Sequence, residues 1–326
     1  MRAGIFGVGH IHSESYVGNL RASRDVEFVG ASDPDAIMLS EWTTRHDSAG
    51  FASDDDLIAA GVDFGIVCSP TNAHLPTVER MAAAGVHVLC EKPLATNAND
   101  ARRIVEICAD VGVQLMTAFP MRFSPSLTTG AEWIREGRVG DVLAITGTNR
   151  GHLPTDYAPW FADPVLAGGG AVMDHTVHLA DVMRWWLGNE PNEVYAETNK
   201  ILHPEVAVET GGLVTLGFED GVFATIDCSW SRPDNYPTWG GLEIEVVGTE
   251  GLFTVDAFAQ RFDVWARGTT SWIDWGSDTN QLMIDHFVGA LRGEHQVAVT
   301  GHDGLRATEV ALAAYRSVER GQPVDV

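Results

Sequence analysis

One lysine stands where a buried strand is predicted to end. In residues 85–94, GVHVLCEKPL, a glycine that can end a helix precedes a short apolar run, which Glu91, Lys92 and Pro93 stop. Ligands bind outside the carboxyl ends of the strands in an open parallel sheet, so an ammonium group there points at a bound molecule. The only other lysine of the chain is Lys200. We predict a functional role for Lys92, with an ordinary solvated lysine as the alternative.

A carboxylate and an imidazole lie four residues apart in a second informative stretch. Residues 171–188 have helical periodicity, so Asp174 and His178 project from one face at neighbouring turns. Such a pair supplies an acceptor for substrate hydroxyls and a base that titrates near neutrality. Alternatively, Asp174 forms a salt bridge with His178 in the core, or His175 and His178 belong to a metal site. Asp181, one turn further, is predicted to be structural.

The start of the chain carries a glycine fingerprint after its first apolar strand. In the run GVGHIH, Gly7 permits a tight turn, Gly9 lets a pyrophosphate approach the backbone, and histidine occupies the third glycine position. The helix that follows offers its positive amino end to the phosphates. The predicted cofactor contacts in this run are Gly7, Gly9, His10, Ile11 and His12.

Asp33 ends the next predicted strand, 26–32, about 20 residues after the fingerprint. A carboxylate at this place hydrogen-bonds the two ribose hydroxyls of NAD and repels the additional phosphate of NADP. No arginine directly follows Asp33 to offset that repulsion. We therefore predict NAD as the cofactor, with NADP possible.

The two early histidines also permit a metal interpretation. His10 and His12 alternate along the chain, as zinc ligands do on a strand of a barrel-type amidohydrolase, and Asp174 and His178 could complete the set. That interpretation needs ligands at later strand ends, whereas the dinucleotide interpretation also accounts for Asp33. We predict no bound metal.

A third predicted strand, 63–68, is followed by polar residues that can touch the ribose or the nicotinamide. They are Ser69, Pro70, Thr71 and Asn72. His74, in the helix 73–84 that follows, joins them or serves in capping or packing.

A long loop with several aromatic side chains separates the two halves of the site. Residues 149–170 carry His152, Tyr157, Trp160 and Phe161. Long loops in compact domains are usually functional or disordered, and these aromatics argue against disorder. We predict that the loop covers the substrate; alternatively, its aromatics pin it to its own domain.

The candidate site residues lie in two predicted domains with different folds. Up to residue 120, strands and helices alternate, which predicts an α/β fold with a Rossmann doubly wound parallel sheet. Beyond residue 120 the pattern predicts an α+β domain with an open, mostly antiparallel sheet, including a hairpin at the Asp220-Gly221 turn. The predicted domains are 1–120, for nucleotide binding, and 121–326, for substrate binding and oligomerisation. The predicted strands of the second are 141–148, 194–199, 213–218, 222–230, 242–247, 252–256, 262–266 and 271–274, and its predicted helices include one ending near Gly137, 171–188, 279–291 and 303–320.

Composition limits the partners of the chain. The 326 residues include 45 acidic and 21 basic ones, a net charge of −24 that argues against nucleic acid and anionic membranes. The basic side chains are nearly all arginine, a composition that favours a salt-tolerant host, with an acidic mesophilic protein as the alternative.

Location is predicted from apolar runs and cysteines. No apolar run reaches transmembrane length and no secretion signal is recognised, so we expect a cytoplasmic protein. Its cysteines are scattered through the chain and are predicted to be reduced: Cys68, Cys90, Cys108 and Cys228.

Taken together, the motifs resemble the Gfo/Idh/MocA family of oxidoreductases over essentially the whole chain. The signatures are Gly7-x-Gly9, 69–72 with His74, Glu91-Lys92-Pro93, Arg122-Phe123 with Pro125, and 168–170 leading to Asp174-x-x-x-His178. The resemblance implies a nicotinamide-binding domain, and a second domain whose sheet often forms dimers or tetramers. The histidines at positions 12 and 175 depart from the family pattern.

The resemblance also implies site residues and a reaction. Lys92, Asp174 and His178 are the implied catalytic set for oxidation of a carbohydrate or polyol hydroxyl. Glu91, Lys92 and Arg122 join the cofactor contacts, and the substrate contacts are Lys92, Arg122, His152, Tyr157, Trp160, Asp174, His175 and His178. A catalytically silent cofactor-binding regulator of the same fold and, less favoured, a metal-dependent hydrolase are the alternatives.

Overall fold

The first third of the chain folds into a six-stranded parallel sheet with helices between the strands. A computed structural model describes residues 1–238, 240–266, 269–274 and 276–326. The elements in chain order are β1 (Arg2–Phe6), α1 (Ser13–Ala22), β2 (Glu27–Ser32), α2 (Ala36–His46), β3 (Gly50–Phe51), α3 (Asp54–Ala59), β4 (Phe64–Val67), α4 (His74–Ala83), β5 (His87–Cys90), α5 (Ala98–Val111) and β6 (Leu115–Thr117).

The strand order of this sheet is β3-β2-β1-β4-β5-β6. The chain adds β2 and β3 on one side of β1 and then crosses to add β4, β5 and β6 on the other side. Every neighbouring pair is parallel. The predicted doubly wound sheet is confirmed, and its ligand crevice lies outside the carboxyl ends of β1 and β4. The barrel-type amidohydrolase interpretation is wrong, because these strands form an open sheet.

Short polar side chains begin several helices of this half. The carboxylate of Asp35 accepts the backbone N–H groups at the start of α2, and Ser53 and Asn97 do the same for α3 and α5. These side chains satisfy backbone donors that have no partner inside the helix. At the other end of α5, Gly112 adopts the left-handed conformation that lets the chain leave the helix.

The remainder of the chain forms a second, seven-stranded sheet covered on one side by helices. Its order is β12-β11-β7-β10-β9-β8-β15, antiparallel except for the β7–β10 pair. The predicted open, mostly antiparallel sheet and its Asp220-Gly221 hairpin are thus confirmed. The elements are α6 (Pro125–Arg135), β7 (Val142–Arg150), α7 (Ala171–Leu187), β8 (Pro191–Asn199), β9 (Gly211–Phe218), β10 (Phe223–Ser229), β11 (Leu242–Gly248), β12 (Leu252–Asp256), β13 (Arg261–Ala266), β14 (Thr269–Asp274), α8 (Thr279–Leu291), α9 (Gly301–Arg320) and β15 (Val324–Asp325).

Two features of this half differ from the expected layout. The predicted strands 262–266 and 271–274 belong to β13 and β14, which pair in a separate two-stranded sheet and lie outside the main one. Helix α8 packs against α1 of the nucleotide-binding half, and its Phe287 contacts Phe64 of β4 with ring centroids 5.8 Å apart. Residues beyond 278 therefore return to the first sheet, and the division at residue 120 stays a prediction.

The described residues contain no helix that is both long enough and apolar enough to cross a membrane. All four cysteines are unpaired and buried, as the sequence predicts for reduced core residues.

Candidate active site

Lys92 leaves the end of β5 and reaches the second half of the molecule. Its Nζ donates a hydrogen bond of 2.6 Å to Asp174 Oδ1 and a longer one, 3.3 Å, to the Asp174 carbonyl oxygen. The side chain is only 2 % exposed, so Lys92 is not an ordinary solvated lysine. A buried ammonium needs such a partner, because desolvation penalises an unpaired charge.

Both carboxylate oxygens of Asp174 are occupied by neighbours. The indole Nε1 of Trp230 donates to Oδ2 at 3.1 Å, and His175 Nε2 lies 3.1 Å from the same oxygen. Burial by itself would raise the pKa of this carboxyl, but the charges of Lys92 and His175 bring the pKa well below its usual value. Asp174 is therefore an ionised group that fixes the position of the Lys92 ammonium.

His178 lies one turn along α7 from Asp174 and faces a cavity that Lys92 also lines. In the described part of the chain its Nδ1 has no hydrogen-bond partner, and no bond joins it to Asp174. Burial, reinforced by the charge of Lys92, lowers the pKa of His178 well below 6.5. Its imidazole is thus neutral at pH 7 and able to accept a proton.

The cavity shared by Lys92 and His178 has a volume of about 320 Å³. Its walls come from both halves of the chain: from the first, Ile11, His12, Lys92 and Pro120; from the second, Met121, Asn149, His178, Thr238, Gly240, Gly241, Leu242, Phe258, Thr279 and Asn280. Small-ligand sites combine such apolar walls with a few convergent polar groups.

The glycine turn after β1 fits a dinucleotide. Gly7 has φ +80, and a side chain there would lie 2.6 Å from the backbone of Ser69, so only glycine allows this approach. In the described part of the chain, the backbone N–H groups of Gly9 and Ile11 find no protein acceptor. The buried hydroxyl of Ser69 is also without a partner there. Unused donors in a turn that leads into a helix are what a pyrophosphate requires.

Asp33 lies directly after β2, at the carboxyl edge of the sheet. Its Oδ2 accepts the N–H of Val8 at 2.9 Å, and its Oδ1 accepts the N–H of Asp35 at 2.8 Å. Burial raises the pKa of this carboxyl, while the two backbone bonds lower it. These bonds fix the carboxylate and leave further lone pairs on its oxygens. Its predicted bond to the ribose hydroxyls stays a prediction.

Some of the polar residues 69–74 that follow β4 lie at the ligand crevice, and others lie in the core. Thr71 is buried beside Pro93 and Asp174, whereas Asn72 is exposed and donates its backbone N–H to Leu166 O. His74 is buried, and its ring nitrogens lie 3.2 Å from the carbonyl oxygens of Leu94 and Ser69. The packing alternative for His74 accounts for this placement.

Glu91 gathers the two histidines of the glycine turn. Its Oε1 accepts the Tyr16 hydroxyl at 2.6 Å and lies 2.8 Å from His12 Nδ1 and 3.7 Å from His10 Nδ1. Burial lowers the pKa of His10 to about 3. Burial would raise the pKa of Glu91, but the two histidines hold it below its usual range.

His10, His12 and Glu91 are spaced so that they could hold a metal ion. Each offers one ligand atom, and the three atoms lie within 4.8 Å of one another. Hydrogen bonds within the protein already engage Glu91, because its Oε2 also accepts the Lys92 N–H at 3.0 Å. The absence of a bound metal stays a prediction.

Arg122 joins the segment that follows β6 to two helices of the second half. Its guanidinium donates two bonds to Asp181 of α7, at 2.6 and 2.7 Å, and one to Asp303 of α9 at 3.1 Å. Asp181 is fully buried, so this pair is a structural ion pair, as predicted for Asp181. The predicted contact of Arg122 with cofactor or substrate stays a prediction.

The loop between β7 and α7 lies on the cofactor turn with part of its length. Trp160 Nε1 donates to Gly9 O at 2.8 Å, and Phe161 packs on the His10 ring with centroids 5.3 Å apart. This contact is on the nucleotide side of the site, and the predicted substrate contact of Trp160 stays a prediction.

Tyr157 and His152, the two other loop residues with predicted substrate contacts, make different contacts from Trp160 and Phe161. Tyr157 is 47 % exposed, and burial of its hydroxyl with the charges of Asp156 and Asp174 raises its pKa to about 12. His152 makes an edge contact with Tyr236. Their roles toward the substrate stay predictions.

Sequence reasoning missed three residues that organise the site. Trp230 binds Asp174, Tyr16 binds Glu91, and the Asn149 carbonyl oxygen lies 2.7 Å from His175 Nδ1. Trp230 follows the alternating pattern of β10, which indicates that its side chain is buried. A buried indole N–H needs an acceptor, and this need is the one signal in the sequence that could have pointed to a role for Trp230 in the site.

Two family models match the chain. Residues 1–119 match the model described as an oxidoreductase family, NAD-binding Rossmann fold, and residues 128–254 match the GFO/IDH/MocA C-terminal domain.

Similar proteins extend over the full length. The chain is 29 % identical to myo-inositol 2-dehydrogenase of Thermotoga maritima, covering 99 % of this chain and 98 % of that one. It is 28 % identical to 1,5-anhydro-D-fructose reductase of Ensifer adhaerens, covering 100 % and 98 %. The crystal structure of GenD2 from gentamicin A biosynthesis, in complex with NAD, superposes with a TM-score of 0.89 at 26 % identity, covering 100 % of this chain and 96 % of that one.

Proposed function

Because the chain belongs to the Gfo/Idh/MocA family of NAD(P)-dependent oxidoreductases, which act on CH–OH groups, we propose that it oxidises a secondary or anomeric hydroxyl of a sugar, cyclic polyol or related carbohydrate. In the reverse direction it reduces the corresponding carbonyl. The names of its relatives, an inositol dehydrogenase and an anhydrofructose reductase among them, support this substrate class.

Three side chains divide the work on the hydroxyl. His178, neutral at pH 7, accepts the hydroxyl proton, and the Lys92 ammonium donates a hydrogen bond to the same oxygen as negative charge develops there. NAD, when bound, supplies the acceptor for the hydride that leaves the carbon. Asp174 holds Lys92 at 2.6 Å, and its predicted bond to a neighbouring substrate hydroxyl stays part of the proposal.

One observation carries the proposal. A lysine from the nucleotide-binding half meets a carboxylate of the other half, and the same lysine lines a cavity together with a neutral imidazole whose Nδ1 has no partner among the described residues. A purely structural ion pair requires neither that imidazole nor that cavity.

A substrate panel tests the proposal. Reduction of NAD and of NADP is followed at 340 nm against aldoses, inositols and sugar acids, at low and at molar salt. We expect saturable turnover with a neutral polyhydroxy compound. Absence of turnover with the whole panel, while NAD binds in calorimetry, would favour the cofactor-binding regulator instead.

Asp33→Asn is expected to weaken the preference for NAD over NADP about fivefold, because removing one charge beside the ribose saves about 1 kcal/mol of repulsion with a 2′-phosphate. The measurement is the ratio of the dissociation constants of NADH and NADPH by fluorescence. Asp55→Asn, at the start of α3, is the control and should leave the ratio unchanged. An unaltered ratio in Asp33→Asn would remove Asp33 from the cofactor site.

We also propose a homodimer or homotetramer through the uncovered face of the second sheet. Leu213, Phe223 and Leu252 on β9, β10 and β12 are 52 %, 54 % and 62 % exposed, an apolar patch typical of interfaces. Phe223→Glu should lower the mass measured by sedimentation, and Ile37→Glu, an exposed residue of α2, should not. A wild-type mass of 35 kDa would contradict the proposal.

A further inference from the structure

A second cavity adjoins the candidate active site. Its volume is about 390 Å³, and it shares Met121, Phe258 and Thr279 with the inner cavity as common walls. The two cavities are therefore chambers of one cleft. The inner chamber is the one that holds Lys92 and His178, and the outer chamber is the second cavity, beyond Phe258.

The size of the cleft exceeds what a single small substrate needs. Each chamber alone falls at the lower end of the usual range for small-ligand sites, about 300–1,000 Å³. A ligand that fills both is about twice as large as one that fills the inner chamber, which must also admit the edge of the nicotinamide.

The lining of the outer chamber indicates what it binds. Besides the shared walls it consists of Ala257, Gln260, Gly276, Ser277 and Asp278. A neutral amide and a hydroxyl are suited to hydrogen-bond sugar hydroxyls, and the Phe258 ring offers an apolar surface to the C–H face of a sugar.

Charge excludes anionic groups from the outer chamber. Asp278 carries the negative charge there, and its carboxylate accepts the N–H groups of Asn280 and Gln281 and the amide of Asn19 at 2.8–3.1 Å. The lining residues that the structure describes include no lysine, arginine or histidine. A phosphate, a carboxylate or a nucleoside diphosphate would meet this negative charge. Arg261, whose guanidinium donates to the Phe258 carbonyl oxygen at 2.9 Å, is already paired with Asp256 and Asp263.

We propose that the outer chamber is a second sugar subsite and that the substrate is a neutral glycoside or oligosaccharide, whose terminal ring is oxidised in the inner chamber. The inference rests on the proposed function and gives it a substrate class. In this arrangement Phe258 lies at the junction of the two rings, and Gln260 and Ser277 hydrogen-bond the outer one.

The first experiment compares substrates of two lengths on the full chain with NAD. Its probes are glucose, galactose and their methyl glycosides against cellobiose, maltose and melibiose, with glucose 6-phosphate and UDP-glucose as anionic counterparts. We expect the best disaccharide to exceed its monosaccharide in kcat/KM by about tenfold, and the anionic compounds to fall below it. Equal or lower values for all three disaccharides would overturn the inference and leave the proposed function intact.

The second experiment either fills the outer chamber with a larger side chain or removes one of its hydrogen-bonding groups. Ser277→Trp should lower the disaccharide-to-monosaccharide ratio of kcat/KM about tenfold by filling the space, and Gln260→Ala should lower it about threefold by removing one hydrogen bond. Gln114→Ala, an exposed glutamine before β6, is the matched control. Unchanged ratios in both variants would overturn the inference.

Binding separates the two hypotheses if turnover is absent. Calorimetry of cellobiose and glucose with the NAD-loaded protein reports on the subsite without chemistry. Tighter binding of the disaccharide that Ser277→Trp abolishes supports the subsite even if the proposed oxidation fails. Equal binding of both sugars overturns it.

Discussion

Lys92→Met lowers kcat for carbohydrate oxidation by about 10²–10³-fold, the expected cost of removing a donor aimed at a developing oxyanion. Affinity for NAD changes little, because methionine keeps the length of the side chain and the turn that follows β1 is untouched. Lys92→Arg restores little activity, because a planar fork does not reproduce a compact ammonium held at 2.6 Å by Asp174. Steady-state kinetics and NADH fluorescence measure the two effects separately.

The same substitution leaves Asp174 buried without its cation, which costs about 3–5 kcal/mol of stability. Urea unfolding of Lys92→Met therefore accompanies the kinetics, and the double variant Lys92→Met/Asp174→Asn, which recovers stability, should still not recover turnover. Lys200→Met, at the exposed second lysine, serves as the charge control. Turnover near that of the wild type in folded Lys92→Met would remove this lysine from the reaction.

Much of the scaffold could be predicted because its signals are local. The Asp220-Gly221 turn acts over a few residues, and the structure has it where the pattern puts it. The position of α8 is different. Its apolar face fits either half, and tertiary contacts, that of Phe287 with Phe64 among them, select the first sheet.

The site could be predicted in part for the same reason. A four-residue spacing places Asp174 and His178 on one helix face, but it does not decide which group each one binds. Asp174 bonds Lys92, 82 residues away, and Trp230, 56 residues away, while His178 is left for the cavity. Long-range partner choice depends on packing that no local pattern contains. The salt-tolerant host and the cytoplasmic location likewise stay predictions.

His178→Gln is expected to lower kcat by about 10²–10⁴-fold and to remove the acid limb of the pH profile. Only the neutral imidazole accepts the hydroxyl proton, so kcat/KM for oxidation falls as pH drops through the pKa of His178. Because burial and the Lys92 charge lower that pKa, the wild-type limb lies below pH 6.5 and activity is constant between about pH 7 and 8. Substrate oxidation followed from pH 5 to 9 gives both results.

The origin of the lowered pKa can be checked without turnover. In Lys92→Met one of the two main causes is gone, so the pKa of His178 should rise toward 6.5 while burial still holds it below that value. The imidazole C–H signal in an NMR titration reports it, and comparison with His178→Gln assigns it among the 12 histidines. An acid limb above pH 6.5 in the wild type, or one that survives in His178→Gln, would assign the base to another group.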